Sequence, residues 1–174
     1  MSEIVDIFKA IVQDVSIKIA LDYPDIPYVF YEHGHILEID NTLASKDKAN
    51  LYMEKYPLIM LIQDFTERQR NSFVELNLRL IITTGTKSDI RASQRYEQVF
   101  KPVLIPIYNQ LMQSIFWHGS FFWDSGRLPS HNRTDRPFYG IGTDKGNTRY
   151  IMSDKLDAIE ITNLNLNYFD NKCL

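Results

Sequence analysis

The stretch from Phe73 to Ile115 constrains the fold most. Leu76, Leu78, Leu80 and Ile82 alternate with the polar Asn77, Arg79 and Thr83. Strand side chains alternate between faces, so this run predicts a strand with one apolar side over Phe73 to Thr84. The period then changes. Tyr96, Val99, Phe100, Val103, Leu104, Ile107, Leu111 and Ile115 recur at three- and four-residue steps, as one face of a long helix does. A strand and a helix that both need cover, joined by the turn Thr84 to Asp89, predict a helix packed on a sheet. Pro102 and Pro106 lie inside the helical stripe. Each removes a donor, so the expectation is a helix about Ser93 to Lys101, a kink, and a second stretch about Val103 to Phe116. Ser93 or Ser88 would cap it.

The flanking segments extend this layout. Ile4, Phe8, Ile11, Val15 and Ile19 predict a helix from Glu3 to Leu21, with Ser2 as its N-cap and Pro24 and Pro27 ending it. Tyr28 to Tyr31 and Ile36 to Ile39 have strand composition, with Glu32 to His35 as a tight connection at Gly34. Asn41 to Asn50 is polar, and Ser45 to Asn50 is expected to be a loop. The run Leu58 to Ile62 predicts a strand covered on both faces. Asp64 to Asn71 is expected to be charged and exposed. Arg133 to Gly140 leads into another strand, with a turn from Gly142 to Asn147. In Leu156 to Phe169, Ile159 and Ile161 share one parity, and Leu164, Leu166 and Tyr168 share the other. One inserted residue near Thr162 and Asn163, a β-bulge, reconciles them. The expected fold is a single α+β domain over residues 1–174. It has a mainly antiparallel twisted sheet, with an N-terminal helix and a long kinked helix packed on one face.

Charge and cysteine content exclude several classes of function. The net charge is −3, whereas a chain that grips nucleic acid carries a basic excess. The one cysteine, Cys173, excludes an internal disulfide framework and a Cys-rich zinc site. The longest apolar runs span about five residues, far below the ~20 that cross a bilayer. The acidic N-terminus does not resemble a signal peptide, so an intracellular site of synthesis and no membrane association are expected.

Candidate chemistry is sparse. His33 and His35 flank Gly34 and could offer two imidazoles, but His118 and His131 fall elsewhere and no carboxylate stands at ligand spacing. Two turn histidines is the better reading, with no metal and no cofactor. Asp64 and Glu67 follow a buried strand, where acid–base residues emerge from a sheet. Arg68 and Arg70 balance them, and no nucleophile accompanies them, which favours a solvated turn. Gly140 and Gly142 lack the Lys-Ser/Thr pair of a phosphate loop. No catalytic residue is assigned. The aromatic content is high, at 13%, and Phe116 to Trp123 holds five aromatic rings. Phe121, Phe122 and Trp123 are consecutive, so at least one should face outward and serve as an interface anchor.

The chain resembles the tail terminator and neck-ring (head–tail joining) proteins of tailed bacteriophages and prophages. The likeness lies in the short N-terminal helix, Tyr56-Pro-Leu-Ile59 with Asp64-Phe65, and the strand Leu76 to Thr83 ending in Thr84-Gly-Thr86. It continues in Phe100-Lys-Pro-Val-Leu-Ile-Pro-Ile107, Asp135-Arg-Pro-Phe-Tyr-Gly140, and Asp157-Ala-Ile-Glu-Ile161 with Asn163-Leu-Asn-Leu166. These segments keep their order over about 150 residues. The resemblance implies an α/β sandwich and a non-enzymatic structural role in the virion. It also implies a homomeric ring, hexamer or dodecamer, in the neck or at the end of the tail tube. Other neck and tail-tube proteins would be its partners, and DNA would pass the lumen without tight binding. Candidate subunit or partner contacts are Arg68, Arg70, Lys87, Arg91, Phe121, Phe122, Trp123, Arg133 and Arg136, because arginine and aromatic residues are enriched at interface centres. Two other readings come from the residues themselves. One is a small hydrolytic or metal-dependent enzyme using Asp64, Glu67, His33 and His35. The other is a single-stranded nucleic-acid binder stacking bases on the aromatics, which the acidic balance opposes.

Overall fold

The first apolar stripe forms helix α1, Ser2–Asp22, with Ile4, Phe8, Ile11, Val15 and Ile19 buried along one side. The fold is seen in a computed structural model that describes residues 2–70, 72–87, 89–122, 128–144 and 147–168. At its centre the long strands β4, Val74–Gly85, and β9, Leu156–Tyr168, pair antiparallel. On the outer side of β4, β2 (Leu58–Ile62) pairs with one half and β3 (Thr66–Gln69) with the other. Strand β1, Phe30–Gly34, runs parallel to β2. On the outer side of β9, β5 (Phe121–Phe122) and β6 (Asn132–Tyr139) divide its length in the same way. A separate hairpin joins β7, Ile141–Asp144, to β8, Asn147–Tyr150. Among the described residues, no helix is long and apolar enough to cross a membrane.

The alternation in β4 places Leu76, Leu78, Leu80 and Ile82 in one buried cluster with α1 and the long helix. Val99, Ile107 and Leu111 of that helix belong to the cluster, and Val103 packs against it. Each such leucine, fully withdrawn from water, contributes about 1.5–3 kcal/mol. β2 is buried along its whole length, as its unbroken apolar run requires.

The bulge in β9 also forms. Leu78 pairs with Leu164 and Leu80 with Ile161, so Thr162 and Asn163 together stand opposite Arg79. Asn163 takes φ 53°, a left-handed conformation that asparagine tolerates better than most residues. The shift keeps Ile159, Ile161, Leu164 and Leu166 in the same cluster across the change of parity.

The long helix is continuous from Ala92 to Trp117, and its prolines fall in or beside a π-helical segment. α3, Ala92–Arg95, leads into π turns over Tyr96–Leu104 and then α4, Ile105–Trp117. At the junction the Ile105 N–H reaches back five residues to the Phe100 carbonyl. In an α-helix a proline ring collides with the carbonyl four residues earlier. The wider π turns relieve that collision at Pro102 and Pro106. The expected capping by serine does not occur. Arg91 occupies the N-cap and its N–H donates to Gln94 Oε1 at 3.3 Å, while Ser93 lies inside the helix and Ser88 lies outside the described residues.

One expected strand is a helix. Ile36 to Ile39 and the polar stretch to Lys48 form α2, Ile36–Lys48, so neither the second strand nor most of the Ser45 to Asn50 loop exists. The supposed tight connection is extended: Glu32 to Gly34 complete β1 and His35 caps α2. The His35 N–H donates to Glu38 Oε2 at 3.1 Å, and His35 Nδ1 accepts from the Leu37 N–H at 3.3 Å. Gly34, at φ 134°, makes the change of direction, which a side chain at this position would strain. Ile39 and Leu43 of α2 cover Leu58, Met60, Ile62, Ile81 and Ala158 on the sheet face opposite the two long helices. The sheet is therefore covered on both sides at its α2 end. At the other end only one face is covered, leaving Asn77, Arg79 and Asn165 on a polar surface.

Candidate functional site

Where α2 stops, the polar face of the sheet carries a charged cluster. Arg79 of β4 donates from Nε and Nη2 to Glu160 Oε1 at 2.9 and 2.6 Å, and Arg136 Nε of β6 donates to Glu160 Oε2 at 2.8 Å. Asp64 stands 3.7 Å from Arg79. Glu160 is only 5% exposed. Burial alone would raise its pKa, but the hydrogen bonds from Arg136 and Arg79 outweigh that and hold the carboxyl below its ordinary value. Burial raises the Tyr139 phenol beside them. The cluster borders a cavity of about 210 Å³ walled by His35, Ile62, Asp64, Arg79 and Tyr139. With Glu160 held ionised between two guanidinium groups, the cluster joins strands rather than supplying a base poised near neutral pH.

Of the residues proposed for an enzyme, His35 and Asp64 wall this one cavity, and His33 and Glu67 do not join them. Asp64 pairs with Arg79 on the polar face, whereas Glu67 stands opposite Leu76 and so belongs to the helix-covered face. His33 stacks on Tyr31, ring centroids 6.0 Å apart, while His35 caps α2. His118 Nδ1 accepts from the Ser120 N–H at 3.3 Å at the end of α4. His131 lies 2.7 Å from the Tyr108 hydroxyl and 2.8 Å from the Pro129 carbonyl. Among the described residues, no group of three or more His, Cys, Asp or Glu is placed to hold a metal ion. Cys173 lies outside them.

The candidate contact residues divide into three groups. Phe121 belongs to the core and not to an interface: it is 7% exposed and packs beside Phe8 at 6.2 Å. Phe122 is half-buried, edge-on to Phe73 at 5.3 Å, and Trp123 lies outside the described residues. The outward ring that can be described is one the sequence did not single out, Trp117, 78% exposed at the end of α4. Lys87 and Arg91 are exposed in the connection between β4 and α3, where Lys87 borders a hollow of about 480 Å³ with Thr86, Asp89 and Gln94.

The remaining four arginines lie on or next to two strands. Arg68 is exposed on β3, and Arg70 just after it pairs with Glu75 at 2.9 Å. Arg133 of β6 pairs with Asp135 at 3.0 Å and lies over the Tyr108 ring at 4.7 Å, while Arg136 holds Glu160. All four residues of β3 and the first six of β6 are exposed. β3 pairs only with β4, and β6 only with β9, among the described residues. Residues scattered through the sequence thus mark two opposite edges of one sheet.

A buried ion pair escaped the sequence analysis. Arg95, 2% exposed, donates from Nη1 to both carboxylate oxygens of Asp157, at 2.9 and 2.6 Å, and Asp157 is 0% exposed. Nη1 also bonds the Thr86 hydroxyl, and Nη2 donates to the carbonyls of Ile90 at 2.9 Å and Lys87 at 3.3 Å. The guanidinium lies 4.1 Å over the Phe138 ring, and the Phe138 N–H donates to Asp157 at 3.1 Å. Phe138 has φ 52°, a conformation that bulky residues avoid. Arg95 therefore ties the β4–α3 connection to β9 and to the end of β6. The signal in the sequence was Arg95 itself, four residues before Val99 on the apolar stripe.

Comparison of the chain with protein-family models, with curated proteins and with solved structures finds no match.

Proposed function

We propose that the chain is a structural subunit of a tailed-bacteriophage virion. It assembles into a homomeric ring in the neck or at the end of the tail tube, around a lumen that passes DNA. The proposal begins from the resemblance of the sequence segments between Tyr56 and Leu166. The observation that carries it further is the pair of exposed edge strands, β3 and β6, on opposite edges of one sheet. A closed ring of identical subunits with head-to-tail contacts needs two different surfaces on each copy. Both edges bear charges of both signs, Glu67 with Arg68 on one and Arg133 with Asp135 on the other. Such edges resist indiscriminate strand pairing and suit a selective partner. The enzymatic alternative is weakened because only His35 and Asp64 share the cavity, His35 capping α2 and Asp64 standing beside Arg79. His33 and Glu67 lie on the other face of the sheet.

Native mass spectrometry and negative-stain electron microscopy of the purified protein test the proposal, together with its detection in phage particles. Rings of uniform copy number, present in particles, are expected. A protein that stays monomeric at all concentrations and is absent from particles overturns it.

A further inference from the structure

Building on the ring reading, we propose that neighbouring subunits join edge to edge, with β3 of one copy antiparallel to β6 of the next and Glu67 facing Arg133. β3 is antiparallel to β4, β4 to β9, and β9 to β6. A second copy that continues the sheet in the same sense therefore brings its β3 antiparallel to β6. This is the arrangement a rotation about a ring axis repeats.

The backbone is set for this pairing. The Arg70 N–H bonds the Phe73 carbonyl at 2.8 Å, so Thr66 and Arg68, which share its parity, direct their peptide groups to β4. Glu67 then turns its N–H and carbonyl outward. The Thr86 N–H bonds the Lys155 carbonyl at 2.9 Å. By the same alternation Ile159 and Ile161 bond toward β4, and Glu160 bonds toward β6. Thr134, opposite Glu160, is thereby turned inward, and Arg133 and Asp135 turn outward. Glu67, Arg133 and Asp135 also share the helix-covered face, because they stand opposite Leu76, Ile161 and Ile159. Peptide groups and side-chain faces thus match in the same registers.

Charge disfavours the registers displaced toward Pro137. With Glu67 opposite Arg133, Thr66 meets Thr134 and Arg68 meets Asn132. A slide of two residues sets Glu67 against Asp135, and a slide of four sets Arg68 against Arg136. Like charges directly opposite each other are destabilising. Pro137, which has no N–H to donate, closes the usable edge of β6. The register also fixes an inclination. In its own subunit Glu67 is level with Leu76; through Arg133 and Ile161 it becomes level with Leu80 of the neighbour. That shift of about four residues, ~13 Å, is spread over four strand spacings, ~19 Å. The strands would lean about 35° from the ring axis, as they do in closed sheets.

The test compares Glu67→Arg, Arg133→Glu and the combined exchange by native mass spectrometry and electron microscopy, with circular dichroism to check folding. Glu67→Pro is added because it blocks the outward N–H and leaves the β4 ladder intact. The expected result is at least a tenfold loss of the ring fraction in each single variant and in Glu67→Pro, with recovery in the exchange. Wild-type rings that persist in both Glu67→Arg and Glu67→Pro overturn the edge contact and leave the ring reading standing. If both single variants lose rings and the exchange does not recover them, the Glu67–Arg133 register is wrong. If the wild type forms no rings and is absent from particles, the ring reading fails and this contact fails with it.

Discussion

Replacing Asp157 by alanine should be among the most damaging single changes in this protein. The carboxylate is fully buried and takes both of its bonds to Arg95 from a guanidinium that is itself 2% exposed. Without Asp157, the buried cation keeps only neutral acceptors: the Thr86 hydroxyl and the carbonyls of Lys87 and Ile90. Removing one partner of a buried pair costs about 3–5 kcal/mol. For a chain of this size each kcal/mol moves the melting temperature by roughly 2–4 °C, so a fall of about 6–20 °C is expected. The converse variant, Arg95→Met, strands the carboxylate with the Phe138 N–H and should cost a similar amount. The double variant removes both charges and should cost less than the two singles together, by about 1–3 kcal/mol. Urea unfolding followed by circular dichroism measures all three. An Asp157→Ala cost below about 1 kcal/mol, or additivity within about 0.5 kcal/mol, would refute the reasoning.

Two other consequences concern the sheet. Leu78→Ala and Leu80→Ala should each cost about 2–5 kcal/mol through lost burial and a residual cavity, and unchanged melting temperatures would remove the assignment of that face to the core. Glu160, whose folded pKa lies below its ordinary value, contributes stability that is fully present above the usual carboxylate range and lost as pH falls through the depressed value. The stability gap between wild type and Glu160→Gln should therefore narrow as acid is added, and a gap that is constant from neutral to strongly acidic pH would contradict the Arg79–Glu160–Arg136 linkage.

The elements legible in the sequence are those whose periodicity is set by one continuous core. β4, the stripe of the long helix, and the parity change in β9 all follow from facing the same cluster, so each could be read separately and agree. α2 reads as a strand and a loop because its apolar side is narrow. Ile39 and Leu43 are its buried residues, and Ile36 with Ile39 reads equally well as a short strand. The better signal was His35 followed three residues later by Glu38, with Lys46 and Lys48 in the last turn, an arrangement that favours a helix over a loop. The π segment was hidden for a different reason: the prolines predict a disturbance but not how the backbone absorbs it. At the surface, the arginines of β3 and β6 were visible as candidates. That they mark opposite edges depends on pairings between distant segments, which no local pattern contains. Arg136 also supports Glu160, and Arg133 holds Asp135 and lies over Tyr108, so reversing either charge would disturb the fold as well as any contact, and Arg91 is the cleaner probe of assembly.

The position of β9 gives the molecule an order of construction. Leu80 and Ile161, partners at the centre of the sheet, lie about eighty residues apart, so their pairing closes a long loop and is entropically late. β6 is attached to the sheet only through β9 among the described residues, while β3 rests on β4 through a short hairpin. Each edge can therefore form locally, β3 on β4 and β6 on β9, but the two belong to one sheet only when the long-range pairing of β4 with β9 has been made. A subunit caught before that step does not yet hold β3 and β6 on one sheet. Under the edge-to-edge contact proposed above, such a chain would not carry one sheet through from neighbour to neighbour, making it a chain terminator rather than a link.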